Sequence, residues 1–323
     1  MNSPATIIIL NYNGRQHLET CLQSLFKQTY REFDVIMVDN GSSDSSIAYV
    51  RKNFAQVKII EAGKNYGFAE GNNIGIREAL RNPEVKYIVT LNNDTEVKVD
   101  WLKKLVKVAE SDEDIGACAS KLLYFDQRNI VDSAGDFYFT GSLKVFPRGH
   151  GKSDKYFQTE ECLSACAGAA LYRREALEQS RLGNDFFDSD HFAYIEDTDL
   201  SLRIRLMEWK CVFVPEAVVY HKVSATFSQM KNNRKKFLTA RSRIFVMIKI
   251  YPLAWWPKAL KNPFTYQAGG TGLFENAFFY TKLFFSVLVK IPSMLGKRRN
   301  IRRSRKFGNE IFSQWAEKFS KTE

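Results

Sequence analysis

Apolar and polar positions follow two alternating periods through the first 220 residues. Short continuous apolar runs at residues 5–10, 33–38 and 57–60 predict buried strands of a parallel sheet. Between them the spacing changes to three and four. Leu18, Cys21, Leu22, Leu25 and Phe26 share one helical face, and Ile47, Val50 and Phe54 another. Asp44 or a neighbouring serine is placed to cap the second helix. Strand, helix, strand, helix, strand within sixty residues predicts βαβ units and a doubly wound α/β fold. A further strand at 87–91 runs straight into Asn92-Asn93-Asp94, and Trp101, Leu102, Leu105, Val106 and Ala109 resume the helical period. Residues 115–123 are strand-like. Residues 124–160 are irregular, with five glycines and prolines (Gly135, Gly141, Pro147, Gly149, Gly151), and a loop of that length often covers a substrate. A small-residue run, 165–172, precedes a helix start at Arg173. The last strand of this part, 212–220, ends on His221.

The pattern changes after residue 225, and charge changes with it. Of the 323 residues, 222–323 hold 21 Lys/Arg against 4 Asp/Glu, a net of +17, whereas 1–221 carry a net of −6. Such asymmetry points to a basic tail that meets an anionic partner. We therefore expect two regions, 1–225 and 226–323. The tail interleaves Lys231, Arg234, Lys235 and Lys236 with Phe237, Leu238, Ile244, Phe245, Ile248 and Ile250, then a Trp255-Trp256 pair. Residues 273–295 are rich in Phe, Leu and Val but contain Glu275, Lys282, Lys290 and Pro292, so a helix lying in a membrane interface fits better than a spanning one. Lys297-Arg298-Arg299 and Arg302-Arg303 follow at once and suit anionic lipid head groups. The competing reading is a helical subdomain or dimer interface with a solvated basic face; an oligomer is compatible with it. No nucleic-acid recognition motif is present. The five cysteines are odd in number and lack zinc-site spacing, and Pro4 and Asn11 interrupt the only early apolar run. A reducing compartment without a signal peptide is the simpler expectation.

Three stretches carry candidate chemistry. Asn92-Asn93-Asp94 ends a strand, so it puts a carboxylate at the carboxyl edge of a sheet, where open α/β sheets bind ligands. A hard divalent cation prefers such oxygen ligands, and a phosphate can complete its shell. Residues 63–75, rich in glycine and asparagine, open a helix whose free N–H groups suit phosphate, although many such stretches are only turns. Glu196, Asp197 and Asp199 crowd a helix start. One acid there complements the helix dipole, but three beside aromatics are more than that role needs.

Taken together, Ile9-Leu10-Asn11-Tyr12-Asn13, Val38-Asp39-Asn40-Gly41-Ser42-Ser43-Asp44, the Asn65–Gly75 stretch, Leu91-Asn92-Asn93-Asp94, Gly168-Ala169-Ala170-Leu171-Tyr172-Arg173-Arg174 and Tyr194-Ile195-Glu196-Asp197-Thr198-Asp199-Leu200 resemble the family 2 glycosyltransferases of GT-A fold. Among them the chain is most similar to the rhamnosyltransferase-type enzymes of bacterial surface polysaccharide assembly. The resemblance covers about residues 5–225. It implies that Asp39 reads the base of a nucleotide sugar beside Asn11, Tyr12 and Asn13, and that Asn65, Gly67, Asn72, Asn92, Asn93 and Gly168 line the donor. It implies that Asp94 and His221 bind Mg²⁺ or Mn²⁺, and that Asp197, with Glu196 next to it, is the catalytic base. Asn92 and Asn93 depart from the acidic Asp-x-Asp form, which implies looser metal binding. The implied donor is a dTDP- or UDP-sugar and the implied acceptor a lipid-linked or growing glycan. The implied place is cytoplasmic, peripheral on the inner face of the cell membrane. Two alternatives are a nucleotidyltransferase, for which Asn11-Tyr12-Asn13-Gly14-Arg15 offers too few basic residues to hold a triphosphate, and a membrane-bound glycan- or nucleotide-binding module without turnover.

Overall fold

The computed structural model describes residues 3–139, 144–222, 232–257 and 273–321; Gly141 and Lys231 lie outside them. The strands are β1 (Ala5–Asn11), β2 (Phe33–Asp39), β3 (Lys58–Glu61), β4 (Tyr87–Asn92), β5 (Thr95–Val97), β6 (Ile115–Tyr124), β7 (Val131–Ser133), β8 (Asp136–Phe139), β9 (Val145–Pro147), β10 (Glu160–Glu161), β11 (Ala169–Arg173), β12 (Lys210–His221) and β13 (Ser320–Lys321). The helices are α1 (Arg15–Phe26), α2 (Ser46–Asn53), α3 (Gly67–Ala79), α4 (Trp101–Glu110), α5 (Arg174–Ser180), α6 (Glu196–Leu206), α7 (Asn232–Lys249), α8 (Leu273–Leu288), α9 (Ile291–Ser304) and α10 (Ile311–Lys318).

The main sheet runs β10-β12-β6-β11-β4-β1-β2-β3, with β5 and β7 paired to β12 and β6. From β3 to β4 it is parallel, as the alternating pattern predicts. The sheet is more mixed than that pattern implies. The small-residue run before Arg173 is itself a strand, β11, inserted antiparallel between β4 and β6. Ala169 and Ala170 present little side chain there, so the strand fits between two helical layers. The 124–160 segment holds short strands of its own, and β8 pairs with β9 and β13 in a small second sheet.

Strand alternation divides the core in two. Ile7 and Ile9 of β1 face Leu18, Leu22 and Leu25 of α1 and Trp101 and Leu105 of α4. Ile8 faces the other way, toward a core that includes Ile76 of α3 and Leu200, Leu202 and Ile204 of α6. Phe245 of α7, Met294 and Ile301 of α9, and Phe312 and Trp315 of α10 join this second core. The basic C-terminal helices thus share a hydrophobic core with the sheet. Among the described residues no single helix is long and apolar enough to cross a membrane; α8 and α9 meet at a bend of 52°.

Candidate active site

Register brings the strand ends to one edge. Asn11 pairs with Asp39 across β1 and β2, and Leu10 with Asn92 across β1 and β4. His221, the last residue of β12, pairs with Thr95 and with Tyr124. β11 begins at the same edge, where the Asn92 N–H donates to Gly168 O at 2.8 Å. Asp39 is buried and holds the first loop together: it accepts from Asn11 Nδ2 at 3.1 Å and from the Ser42 N–H at 2.9 Å. Each carboxylate oxygen retains accepting capacity beyond those bonds. The N-cap of the second helix is Ser45, whose side chain makes no cap bond; Asp44, one residue earlier, accepts from the Ser46 N–H at 3.0 Å and also from the Arg15 N–H.

Asp94 and His221 meet at the centre of this edge, Oδ1 to Nε2, at 3.2 Å. The other ring nitrogen, Nδ1, lies 2.8 Å from Asp132 Oδ2. Asp132 also receives His150 Nδ1 at 3.3 Å. Burial alone would depress the His221 imidazole, but hydrogen bonds to Asp132 and Asp94 outweigh it and hold its pKa at about 10. Burial works against the Asp94 carboxylate, and the His221 bond more than compensates, so Asp94 stays below the usual range. One carboxylate oxygen and one oriented imidazole nitrogen form a donor set that fits a divalent cation such as Mn²⁺, with Asp132 fixing the ring as carboxylates do behind metal-bound histidines. The cation would replace the Nε2 proton.

Asp197 is bonded to the loop that leads into β11. Its Oδ2 accepts from the Ala167 N–H at 3.2 Å, next to the Gly168 that holds Asn92. Glu196 and Asp199 are buried, whereas Asp197 is half-buried and the accessible acid of the three. Burial raises the Asp197 carboxyl above the ordinary range; backbone N–H groups of Thr198 and Ala167 oppose that without cancelling it. Asp199 does not crowd Asp197 as the sequence suggests. Its charge is taken up by Arg203 Nε at 2.9 Å and Lys249 Nζ at 2.6 Å, which keep it well below the usual range despite burial. Asp188, His191 and Asp199 are spaced as cation ligands. The Lys249 ammonium stands among them, bonded to Asp188 and 3.2 Å from His191 Nε2, so the cluster already holds its positive charge.

Residues 6–181, more than half the chain, match the family described as glycosyl transferase family 2. The chain belongs to glycosyl transferase family 2. It is 25% identical over 290 residues to the amylovoran biosynthesis glycosyltransferase AmsB of Erwinia amylovora, covering 87% of this chain and 90% of that one. It is 25% identical over 246 residues to an N-acetylglucosaminyl-diphospho-decaprenol L-rhamnosyltransferase of Mycobacterium tuberculosis, covering 70% and 78%. It is 28% identical over 148 residues to an uncharacterised glycosyltransferase of Haemophilus influenzae, of which it spans only 44%. Among solved structures, GalNAc-T7 with UDP, GalNAc and Mn²⁺ has a TM-score of 0.60 at 17% identity, over 86% of this chain and 54% of that one. The mannosyltransferase PcManGT of Pyrobaculum calidifontis, with GDP-Man and Mn²⁺, has a TM-score of 0.53 at 15% identity, over 98% and 88%. These likenesses establish a GT-A-like fold.

In this family 2 chain the remaining sequence candidates fall into two groups. Asn13, at φ +49°, accepts from the Ser43 N–H at 2.8 Å, and Tyr12 is half-buried next to it at the edge. Others are structural in their contacts. Asn93 is buried and donates to Asn11 Oδ1 at 2.8 Å, joining β1 to the β4 turn. Asn72 donates to Phe68 O within α3, and Asn65 Oδ1 accepts from the Gly67 N–H and Asn40. Gly67, at φ +85°, leaves no room for a Cβ against Phe192 O, so the glycine-rich stretch is clamped to the segment that leads to Asp197. Glu196 lies buried, its carboxyl pushed well up by burial and by the Asp197 charge. Sequence reasoning missed Asp132, His150 and Asp136, all in the segment read as irregular. Asp136 is buried, accepts from Ser133 and Ser164 hydroxyls at 3.2 Å, and is pushed up to about 8 by burial and the Asp197 charge. The only local signal was the alternation of Val131-Asp132-Ser133-Ala134.

Proposed function

We propose that the chain is an inverting, metal-dependent glycosyltransferase that moves a sugar from a nucleoside diphosphate to a hydroxyl of a lipid-linked or growing glycan. The observation that carries this reading is the Asp94–His221 contact at 3.2 Å, with Asp197 bonded to Ala167 in the same loop whose Gly168 bonds Asn92 of β4. An acceptor hydroxyl attacks the anomeric carbon and gives its proton to Asp197. The bond from that carbon to the β-phosphate oxygen breaks, and its electron pair leaves with the nucleoside diphosphate. Attack from the face opposite the leaving group inverts the centre. A divalent cation bound at Asp94 and His221 supplies positive charge against the diphosphate. Asp39, with Asn11 and Ser42, offers acceptors for a pyrimidine base, in keeping with a dTDP- or UDP-sugar. The likeness to a rhamnosyltransferase acting on a lipid-diphospho-sugar favours rhamnose from its dTDP donor and a lipid-linked acceptor.

The C-terminal helices suit such an acceptor, and they support a peripheral place on the cytoplasmic face of the membrane. Phe278, Phe285 and Val289 share one face of the α8 turn, opposite the buried Leu283, and are exposed by 72%, 57% and 75%. Arg299 and Arg302 follow on the exposed face of α9 with Leu295. Apolar surface beside basic residues is complementary to an anionic bilayer.

The test of the reaction is Asp197→Asn. Donor binding, read as the thermal shift given by dTDP- and UDP-sugars with Mn²⁺, should be retained, while transfer of radiolabelled sugar falls by about 10²–10⁴-fold. Unchanged turnover removes Asp197 from the mechanism.

A further inference from the structure

Two cations near the start of α7 stand against the segment that delivers Asp197. Arg234 and Lys235 are exposed, and neither is ion-paired with a carboxylate among the described residues. The Arg234 guanidinium lies 5.3 Å from the centre of the Phe192 ring, and the Lys235 ammonium 5.6 Å from that of Tyr194. An aromatic face attracts a cation but gives its N–H groups no oxygen acceptor. Tyr194 comes three residues before Asp197. Further along the same helix Arg241 donates to Asp190 O at 3.0 Å and to His191 O at 2.9 Å, so α7 is fastened to the backbone of this segment. The Lys235 charge also reaches His150, whose pKa is raised by its bond to Asp132 and drawn back by burial and by that ammonium. Lys235 is thus within electrostatic reach of the histidine that shares Asp132 with His221.

The same stretch of α7 leads to the apolar helix α8. Phe237 meets Phe279 of α8 edge to face, ring centres 6.2 Å apart, and Lys282 Nζ lies 5.2 Å from the centre of the Phe237 ring. Lys282 is exposed, as are Phe278 and Phe285 on that helix. The contacts therefore run from the Asp197 segment to cations and then to an apolar helix face. A sugar linked to a lipid through a diphosphate has the same order: hydroxyl, anion, hydrocarbon. From this order we infer that Arg234 and Lys235 hold the diphosphate of a lipid-diphosphate-linked acceptor, with its sugar toward Asp197 and its hydrocarbon on the apolar face of α8. The inference rests on the glycosyltransferase reading given above and names the acceptor class of that site. A diphosphate has enough acceptor oxygens to meet a guanidinium and an ammonium together.

The experiment is a calorimetric titration of farnesyl diphosphate and of farnesol, each below its micellar range, into the full chain and into Arg234→Gln with Lys235→Gln. EDTA is present, so that no cation draws the diphosphate to Asp94 and His221. Titrations of UDP and dTDP with Mn²⁺ run beside it. Both side chains are exposed, so the double variant should keep the thermal midpoint of the natural chain. We expect it to bind farnesyl diphosphate about tenfold more weakly or worse, the scale of hydrogen bonds to a charged group. Its affinities for farnesol, UDP and dTDP should be unchanged, and Arg234→Lys with Lys235→Arg should recover most of the loss. Equal farnesyl diphosphate affinity in the two proteins overturns the inference. An equal loss for farnesol makes the effect a distortion of the apolar face and overturns it too. A parallel loss for UDP and dTDP gives the cations to the donor instead, and again overturns it. If the natural chain binds neither UDP nor dTDP, the nucleotide-sugar reading falls and takes this inference with it; if it binds them but not farnesyl diphosphate, only the acceptor assignment falls.

Discussion

Two carboxyls beside each other, Asp136 and Asp197, set the acid–base character of the site. Asp136 is buried and Asp197 is partly open, so the shared charge is better placed on Asp197, where water can reach it. Asp136 then holds its proton until about pH 8. An unfolded chain releases that proton near pH 4. Between those values the folded state binds more protons than the unfolded state, so the stability contributed by this group falls as pH rises. Asp136→Asn removes the penalty. Chemical denaturation should show the variant gaining on the natural chain progressively from pH 5 to pH 9, while turnover at pH 7 changes little. A stability difference that is flat with pH would place the proton elsewhere. The edge positions of Asn11, Asp39 and His221 were legible in the sequence because each ends a strand and strand ends share an edge; Asp94 follows β4 by two residues. Asp132, His150 and Asp136 were not, because their positions depend on the register of short strands within the 124–160 segment that no periodicity announces.

At the scale of elements, the segment that delivers Asp197 is fastened from two sides. From the sheet side, Phe192 O accepts from the Phe68 N–H at 2.6 Å and from the Ala69 N–H at 3.2 Å, at the start of α3. From the other side, Lys249 of α7 sits with Asp188 and Asp199, and Lys290, just before α9, and Lys297 of α9 lie 2.6 and 2.7 Å from Asp190. Between these anchors Phe192, Tyr194 and Ile195 adopt φ of +66°, +71° and +71°. For a β-branched residue such as Ile195 that conformation is a true outlier, and each such residue costs on the order of 1–3 kcal/mol. Helical periodicity located α6 and its acids. It could not show that Asp199 turns inward to Lys249, because the two are fifty residues apart and their pairing is set by how α7 packs on the sheet. Lys249→Met takes one of two cations from each of two buried carboxylates, leaving Asp199 to Arg203 and Asp188 to Lys297. Breaking one side of a buried ion pair typically destabilises by about 3–5 kcal/mol, and urea denaturation at pH 7 should show a loss at or below that range because the second cations remain. Lys249 depresses both acids, so its contribution is complete above the ordinary carboxylate range and is lost as pH falls below it. The gap between the natural chain and the variant should therefore narrow on acidification. A gap that stays constant down to pH 3 would mean that Lys249 acts by packing alone.

At the scale of the whole molecule, one feature is left without an internal partner among the described residues: the apolar face of α8. The other described C-terminal α-helices pack on the core, since α7, α9 and α10 bury Phe245, Ile301 and Trp315 against it. Composition marked the region as basic and amphipathic but left open whether it packs or docks; in the structure α7, α9 and α10 pack, and one face of α8 is exposed. Leu283 points inward and holds α8 to the protein, while Phe278, Phe285 and Val289 point outward. A bilayer would bury these three side chains for about 1.5–3 kcal/mol each and gain about 1 kcal/mol for each of Arg299 and Arg302 at an anionic surface. The same α9 that presents those arginines also bonds Asp188 and Asp190 below Asp197, so a docked α8–α9 corner would set the site at a fixed height above the lipid head groups. Full-length protein should therefore co-sediment with phosphatidylglycerol-containing vesicles and be released by salt. A Phe285→Asp, Val289→Asp double variant should stay in solution with its fold and donor binding intact. Arg299→Glu with Arg302→Glu should weaken binding and flatten its salt dependence. If the natural chain remains in the supernatant at low salt, or if the double variant instead dissociates a dimer seen by sedimentation, the face meets a second copy of the protein and not a membrane.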